Sequence, residues 1–309
     1  MTAVWDAIFQ AGFFSSDEVQ VALVVGGVVA VVSGVVGVFA VLRGQSFAGH
    51  ALADVGSTGG SGAFLVGAPP MWGFLVFSVA GAALMELIGI QRARGRDLAT
   101  GIVLGGALGL SALFLYEDTT VHNTTGATMT VLFGSIFAIS SSLTPWVVAL
   151  SAISTAGVIV CYRPLLLASV HPDLAAAAGV PVRQIGAVFL GSLSVAVALS
   201  SITIGSILST ALLIGPAATA VRLARRPGLA MLWSALIAVV SVWLGVLLAY
   251  DSYTWPPKHQ AWPASFFVVA VVFLFYLGAD AGVSLRARLR RPAAGQVAGD
   301  GPAPAGVSG

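Results

Sequence analysis

Apolar runs long enough to cross a bilayer follow one another along nearly the whole chain, and this succession decides the fold class before any motif is read. A spanning helix needs roughly 20 predominantly apolar residues to cross about 30 Å of hydrocarbon. Runs of that order occupy 19–42, 47–66, 71–90, 98–116, 143–161, 183–201, 204–221, 229–250 and 263–280. Only 8% of the 309 residues are charged, against about 25% in an ordinary soluble domain. The chain is therefore expected to be all-α: a polytopic helical membrane protein of about 8–9 transmembrane helices. Helices suit such a solvent because they satisfy every backbone group internally. Residues 129–142, MTVLFGSIFAISSS, are too short for a full span beside 143–161. They read as a half-helix or re-entrant segment, which needs protein or a cavity to satisfy its backbone.

Charge distribution orients the bundle. All but one of the 14 basic residues are arginines. They cluster at Arg43, Arg92 to Arg96, Arg163, Arg183, Arg222 to Arg226 and Arg286 to Arg291. With nine spans and an outside N-terminus, all of them fall on one side and Lys258 on the other. The positive-inside rule makes the arginine side, and with it the C-terminus, cytoplasmic. Asp17, Glu18, Glu117, Asp118 and Asp251 then lie outside, as do Tyr250, Tyr253, Trp255 and Trp262, aromatics favoured at a membrane interface. Three regions follow: an external or interfacial segment 1–18, a transmembrane domain 19–280, and a basic and then disordered cytoplasmic tail 281–309. The first 18 residues lack the basic n-region of a secretory signal, so no cleaved leader is expected. A single cysteine, Cys161, excludes an intrachain disulfide.

The stretch SFAGHALADVGSTGGSG, 46–62, puts an imidazole and a carboxylate inside a run that should cross the membrane. On a helix, Ser46, His50, Asp54, Ser57 and Ser61 form one polar stripe, since residues i and i+4 share a face. An ionisable group near mid-membrane costs at least ~2.5–3.5 kcal/mol and normally faces a partner or a wet path. His50 and Asp54 can simply pin two helices together. They can also offer nitrogen and oxygen to a divalent metal, and two ligands are too few for a tight closed site, which suits transient passage. Glu86 is the other ionisable residue well inside a run, at roughly the depth of His50. It either completes a path or sits at the cytoplasmic interface among Arg92 and Arg94. The remaining histidines, His122, His171 and His259, fall in loops.

Two further features concern packing and docking. Gly101, Gly105 and Gly109 share one helix face, where another helix of the same chain or of a second copy can approach closely. The loop HPDLAAAAGVPVR, 171–183, has Pro172 suited to a first helical turn and Gly179 suited to its end. A short helix on the arginine side, bracketed by Arg163 and Arg183, is either a plain connector or a docking element for a cytoplasmic partner.

Several chemistries are excluded or demoted. The chain has no GxxxxGK[ST], and its lone lysine cannot complete a phosphate-binding loop, so it is not itself an ATPase of that type. HExxH is absent. GGSG, 59–62, matches the G-x-S-G of rhomboid-type intramembrane proteases, but no later span holds the histidine needed as general base. No nucleic-acid partner is expected.

Four segments together carry a family resemblance. VFAVLRGQSFAGHALADV, RARGRDLATGIVLGGALGLS, HPDLAAAAGVPVR and ILSTALLIGPAATAVRLA resemble, in order, four stretches of the membrane-spanning permease of the metal-type ABC importers, the zinc/manganese/iron uptake family. These are the arginine-ended first helix leading to a G-D-A-L-S-H-A-like motif, the basic loop running into a glycine-rich helix, the D-P-x-x-A-x-x-x-G-V coupling segment, and the late L-L-x-x-P-A-A-x-A helix with Pro216 in place. One departure stands out. The family usually has aspartate and then, four residues on, histidine, whereas here His50 precedes Asp54.

The resemblance implies a homodimer in the bacterial cytoplasmic membrane. It further implies two cytoplasmic ATP-binding cassette ATPase subunits and an extracellular solute-binding protein that delivers the ion. Pro172, Asp173, Ala178 and Gly179 would belong to the coupling helix that meets the ATPase. No cofactor is expected in this chain, and a divalent metal ion, zinc or manganese first and ferrous iron third, is the expected cargo. Two alternatives remain. A permease for siderophores, haem or cobalamin would need a wide path and no intramembrane ligand pair, and a standalone ion-coupled transporter would have no use for a coupling segment.

Overall fold

The run DEVQVALVVGGVVAVVSGVVGVFAVL is apolar on every side of the helical wheel, and such a helix is at home only when others surround it. It forms α1, Asp17–Leu42, the axis of the molecule, with Ala22, Val29, Val36 and Phe39 wholly enclosed. The computed structural model describes residues 13–89, 93–121, 125–255 and 262–289. After α1 come α2 (Ser46–Leu65), α3 (Pro70–Gly89), α4 (Ala93–Val121), α5 (Thr125–Phe133) and α6 (Thr144–Val160). They are followed by α7 (Tyr162–Val170), α8 (Pro172–Ala177), α9 (Val182–Ile204), α10 (Ser206–Leu223), α11 (Pro227–Asp251) and α12 (Ala264–Leu289). Among the described residues there is no strand.

α6, α9, α10 and α11 surround α1, and α12 lies against α10 and α11. Small residues set the spacing. A Cβ on Gly34 would lie 2.7 Å from the Ala235 Cα of α11, and one on Gly37 would strike the Leu213 carbonyl of α10. Lipid is as apolar as leucine, so such close backbone packing, rather than hydrophobic exclusion, holds membrane helices together.

Eight helices among the described residues are long and apolar enough to span: Asp17–Leu42, Pro70–Leu87, Thr100–Thr120, Ser141–Val160, Val182–Ile204, Ser206–Leu223, Pro227–Thr254 and Ala264–Leu285. The expected run 47–66 is not among them. Its helix, α2, has 20 residues, about 30 Å at 1.5 Å per residue, but its His, Asp, Ser, Thr and Gly residues make it too polar. It is sheltered by protein instead: residues 51–61 are buried without a break between α3, α4, α9 and α10.

Several boundaries move outward from their expected places. α4 runs from Ala93 to Val121, so it extends past the expected run 98–116 at both ends. α12 continues to Leu289, nine residues past the expected end at 280. Composition marks where a helix leaves hydrocarbon, whereas the backbone hydrogen-bond ladder continues into the interface. Within 129–142 the helix is α5, nine residues long and too short to cross, followed by single 3₁₀ turns at Ile136–Ala138 and Ser141–Leu143. Its Val131 is fully buried. Most of the expected regions 1–18 and 281–309 lies outside the described residues.

Candidate functional site

The site begins at the turn between α1 and α2. Gly44 takes φ 62°, a left-handed conformation that costs glycine little and other residues more. Its N–H donates to the Val41 carbonyl at 3.1 Å and that of Gln45 to Ala40 at 2.8 Å. This bond pair is the Schellman ending, which closes a helix and reverses the chain. α2 therefore starts at Ser46 and carries His50 and Asp54 back into the bundle. Arg43 anchors the same turn. Its Nη1 lies 3.3 Å from Ser169 Oγ on α7, and its guanidinium carbon lies 5.4 Å from the Phe189 ring centroid on α9.

His50 and Asp54 meet as their spacing predicts, with Nε2 3.6 Å from Oδ2. Asp54 is enclosed, its side chain 12% exposed, whereas His50 is 43% exposed. The other imidazole nitrogen, Nδ1, is 3.1 Å from Thr210 Oγ1 on α10. Two ligand atoms held about 2.1 Å from a tetrahedral divalent metal lie roughly 3.4 Å apart, close to the observed nitrogen–oxygen separation. The pair is thus set at a distance that one cation could bridge, and one face of it is open. Among the described residues, no group of three or more His, Cys, Asp or Glu side chains converges.

The rest of the polar stripe does not extend this opening. Ser57 Oγ donates to the Asp54 carbonyl at 2.7 Å and lies 3.2 Å from Ser111 Oγ of α4. Thr58 donates to the Ala107 carbonyl of α4 at 2.8 Å, and Ser61 donates to the carbonyls of Ser57 and Thr58. These hydroxyls are buried and engaged within α2 or across to α4, where they bind helices together.

Glu86, which the sequence offered either as a weaker third member of the path or as an interface residue, forms no group with His50 and Asp54 among the described residues. Its Oε1 lies 3.9 Å from Arg183 Nε at the start of α9. There it borders a cleft of about 330 Å³ lined also by Ala82, Ala83, Ala187, Leu190 and Gly191. Arg92 lies outside the described residues. Pro172 opens α8, Asp173 sits in its first turn and Ala178 caps it. Gly179 closes it at φ 78°, with Val180 N–H donating to the Ala175 carbonyl at 3.0 Å. Ala175 is the buried anchor of this segment, while Pro172, Asp173, Leu174, Ala178 and Gly179 are exposed. Arg163 and Arg183 flank it, also exposed.

Among the described residues, nothing lies within 4 Å of a Cβ placed on Gly101, Gly105 or Gly109. The tight glycine crossing is at Gly59 and Gly73, each of which would drive a Cβ into the other's carbonyl, and it joins α2 to α3. Pro216 is buried inside α10, and the same helix is tied to α12 by an ion pair between Arg222 and Asp280. His122, His259 and Lys258 lie outside the described residues. Three features escape a reading by spacing: the Thr210 contact, the Arg43 anchor and the Gly59–Gly73 crossing. The first two join residues distant in sequence, the third depends on how two consecutive helices cross, and a lone Ser-Thr step at 209–210 in an apolar helix is the faint trace of the first.

Residues 15–279 match the model of the ABC 3 transport family. The chain is 28% identical over 239 residues to the manganese transport system membrane protein MntC of Halalkalibacterium halodurans, covering 77% of this chain and 81% of that one. It is 26% identical over 258 residues to the high-affinity zinc uptake system membrane protein ZnuB of Haemophilus influenzae, covering 83% and 94%. Among solved structures, PsaBC from Streptococcus pneumoniae in complex with Fab superposes with a TM-score of 0.72 at 26% identity, covering 90% of this chain and 95% of that one.

Proposed function

The chain belongs to the ABC 3 transport family, and we propose that it is the permease subunit of an ATP-driven importer of a divalent transition metal. It is a multi-pass protein of the bacterial plasma membrane. Manganese and zinc are the first cargoes to test, since relatives named for each resemble it, and ferrous iron is the third. The observation that carries the reading is the His50–Asp54 pair: a nitrogen and an oxygen 3.6 Å apart at the mouth of a helix whose residues 51–61 are buried. Paired ligands with an open face suit a passing ion, whereas a resident metal would require a closed set. N/O ligand sets accept several divalent ions, so selectivity rests on geometry and delivery as well.

In this reading two copies of the chain face one another, the arginine-rich ends are cytoplasmic, and an external binding protein delivers the ion. Separate ATPase subunits bind and hydrolyse ATP and press on α8. Its exposed Pro172, Asp173, Leu174 and Ala178 form the contact, held firm by Ala175 beneath. Movement of α8 passes into α7 and α9, between which it sits, and through Arg43 to the turn that starts α2. Alternating access of the path then follows from helix motion, with no chemistry in this chain.

The experiment is cellular zinc, manganese and iron in a strain lacking the gene, rescued with wild type, His50→Ala or Asp54→Ala. One metal is expected to fall in the deletion, return with wild type and stay low with either variant although the complex assembles. Normal uptake by Asp54→Ala removes that carboxylate from the mechanism. No change in any metal under scarcity overturns the import reading.

A further inference from the structure

We propose that Thr210 is a positioning residue for metal passage: its hydroxyl, on α10, holds the His50 ring so that Nε2 stays turned toward Asp54. The proposal rests on the metal-path reading above and assigns a residue from a different helix, 160 positions away, to the same step.

The geometry carries it. Nδ1 of His50 is 3.1 Å from Thr210 Oγ1, and Nε2 is 3.6 Å from Asp54 Oδ2, so the two contacts occupy the two nitrogens of one ring. With Nδ1–H donated to the threonine oxygen, the Nε2 lone pair points to the side on which Asp54 offers its carboxylate. A ring turned over would present carbon there. His50 is 43% exposed, so packing alone leaves it room to turn, and a directional bond supplies what packing does not. The behaviour of other threonines in this part of the chain makes the contact specific. Thr203 turns its hydroxyl back to the Leu199 and Ser200 carbonyls, and Thr219 to Gly215, the usual local option for a helical threonine. Thr210 instead reaches across to α2. Metal-bound histidines commonly use the second ring nitrogen in this way, and loss of such an outer partner typically costs about 10–100-fold in metal affinity.

The test uses the purified full-length permease, titrated calorimetrically with manganese and zinc salts, together with uptake by the assembled transporter in cells. Thr210→Val keeps the shape and removes the hydroxyl; Thr210→Ser keeps the hydroxyl and loses the methyl. The expected result is metal affinity reduced about 10–100-fold in Thr210→Val, recovery to within about threefold in Thr210→Ser, and no additional loss when Thr210→Val is combined with His50→Ala. A role in folding alone would lower thermal stability and protein yield without this conservative rescue and without non-additivity. If Thr210→Val proves poorly folded, the Thr210→Ser to Thr210→Ala comparison decides the same question. Wild-type affinity and uptake in Thr210→Val, with His50→Ala defective, overturns the role of Thr210 and leaves the path standing. Normal binding and uptake by His50→Ala overturns the path itself.

Discussion

Asp54 and Glu86 are both carboxylates on helices of the bundle, yet their surroundings differ in kind. Asp54 lies in a protein-lined recess opposite an imidazole, while Glu86 faces an arginine that is 73% exposed. An exposed pair of this sort contributes about 0–1 kcal/mol, so Glu86 is a loose tie between α3 and the start of α9. Glu86→Gln is therefore expected to leave metal uptake within about twofold of wild type and the melting temperature nearly unchanged. Uptake reduced as severely as in Asp54→Ala would return Glu86 to the ion path. The exchanged order of His50 and Asp54 also gains a meaning at this scale. It gives the imidazole, a side chain with two usable nitrogens, to the position that faces Thr210.

At the scale of elements, α8 is a six-residue helix with a proline at its first turn, a glycine at its end and a single buried alanine. Isolated helices this short do not persist in water, so its order comes from the caps and from its seat on α7 and α9. Leu174 is 58% exposed at its centre, an apolar side chain at the arginine-rich end left uncovered by the described residues. Leu174→Asp is expected to leave the permease folded and to reduce copurification of the ATPase subunits at least about tenfold, the equivalent of 1.4 kcal/mol. Undiminished copurification together with normal uptake would show that α8 is a connector after all.

For the whole molecule, the contrast between two glycine sets is informative. Gly59 and Gly73 are consumed by the α2–α3 crossing, whereas Gly101, Gly105 and Gly109 leave an open furrow along α4. Leucines at 108, 110 and 113 of that helix are exposed beside it, which suits either lipid or a second copy. If the second copy packs there, Gly105→Leu places a bulky side chain where a backbone should approach. Overpacking of this kind costs about 1–3 kcal/mol, so the dimer is expected to weaken by roughly 5–150-fold in detergent, read by light scattering. Gly278→Leu, on α12 and equally open within the chain, serves as the comparison. An unchanged dimer in Gly105→Leu would assign the furrow to lipid.

Helical class, all but one of the nine expected runs and the His50–Asp54 face were legible in the sequence, because hydrocarbon thickness and the 3.6-residue repeat act on contiguous residues. Pro172 and Gly179 likewise marked α8, since φ preferences are local. Boundaries were less legible: α4 and α12 run on through polar residues that hydropathy counts as loop. The sequence alone left Glu86 between two roles, and it offered glycines 101 to 109 as a packing face without saying which helix they meet. What each of these residues touches is set by tertiary structure. Arg183 meets Glu86 and Thr210 meets His50 through packing between helices far apart in the chain, Gly73 meets Gly59 across two consecutive ones, and no local period records which helix becomes a neighbour.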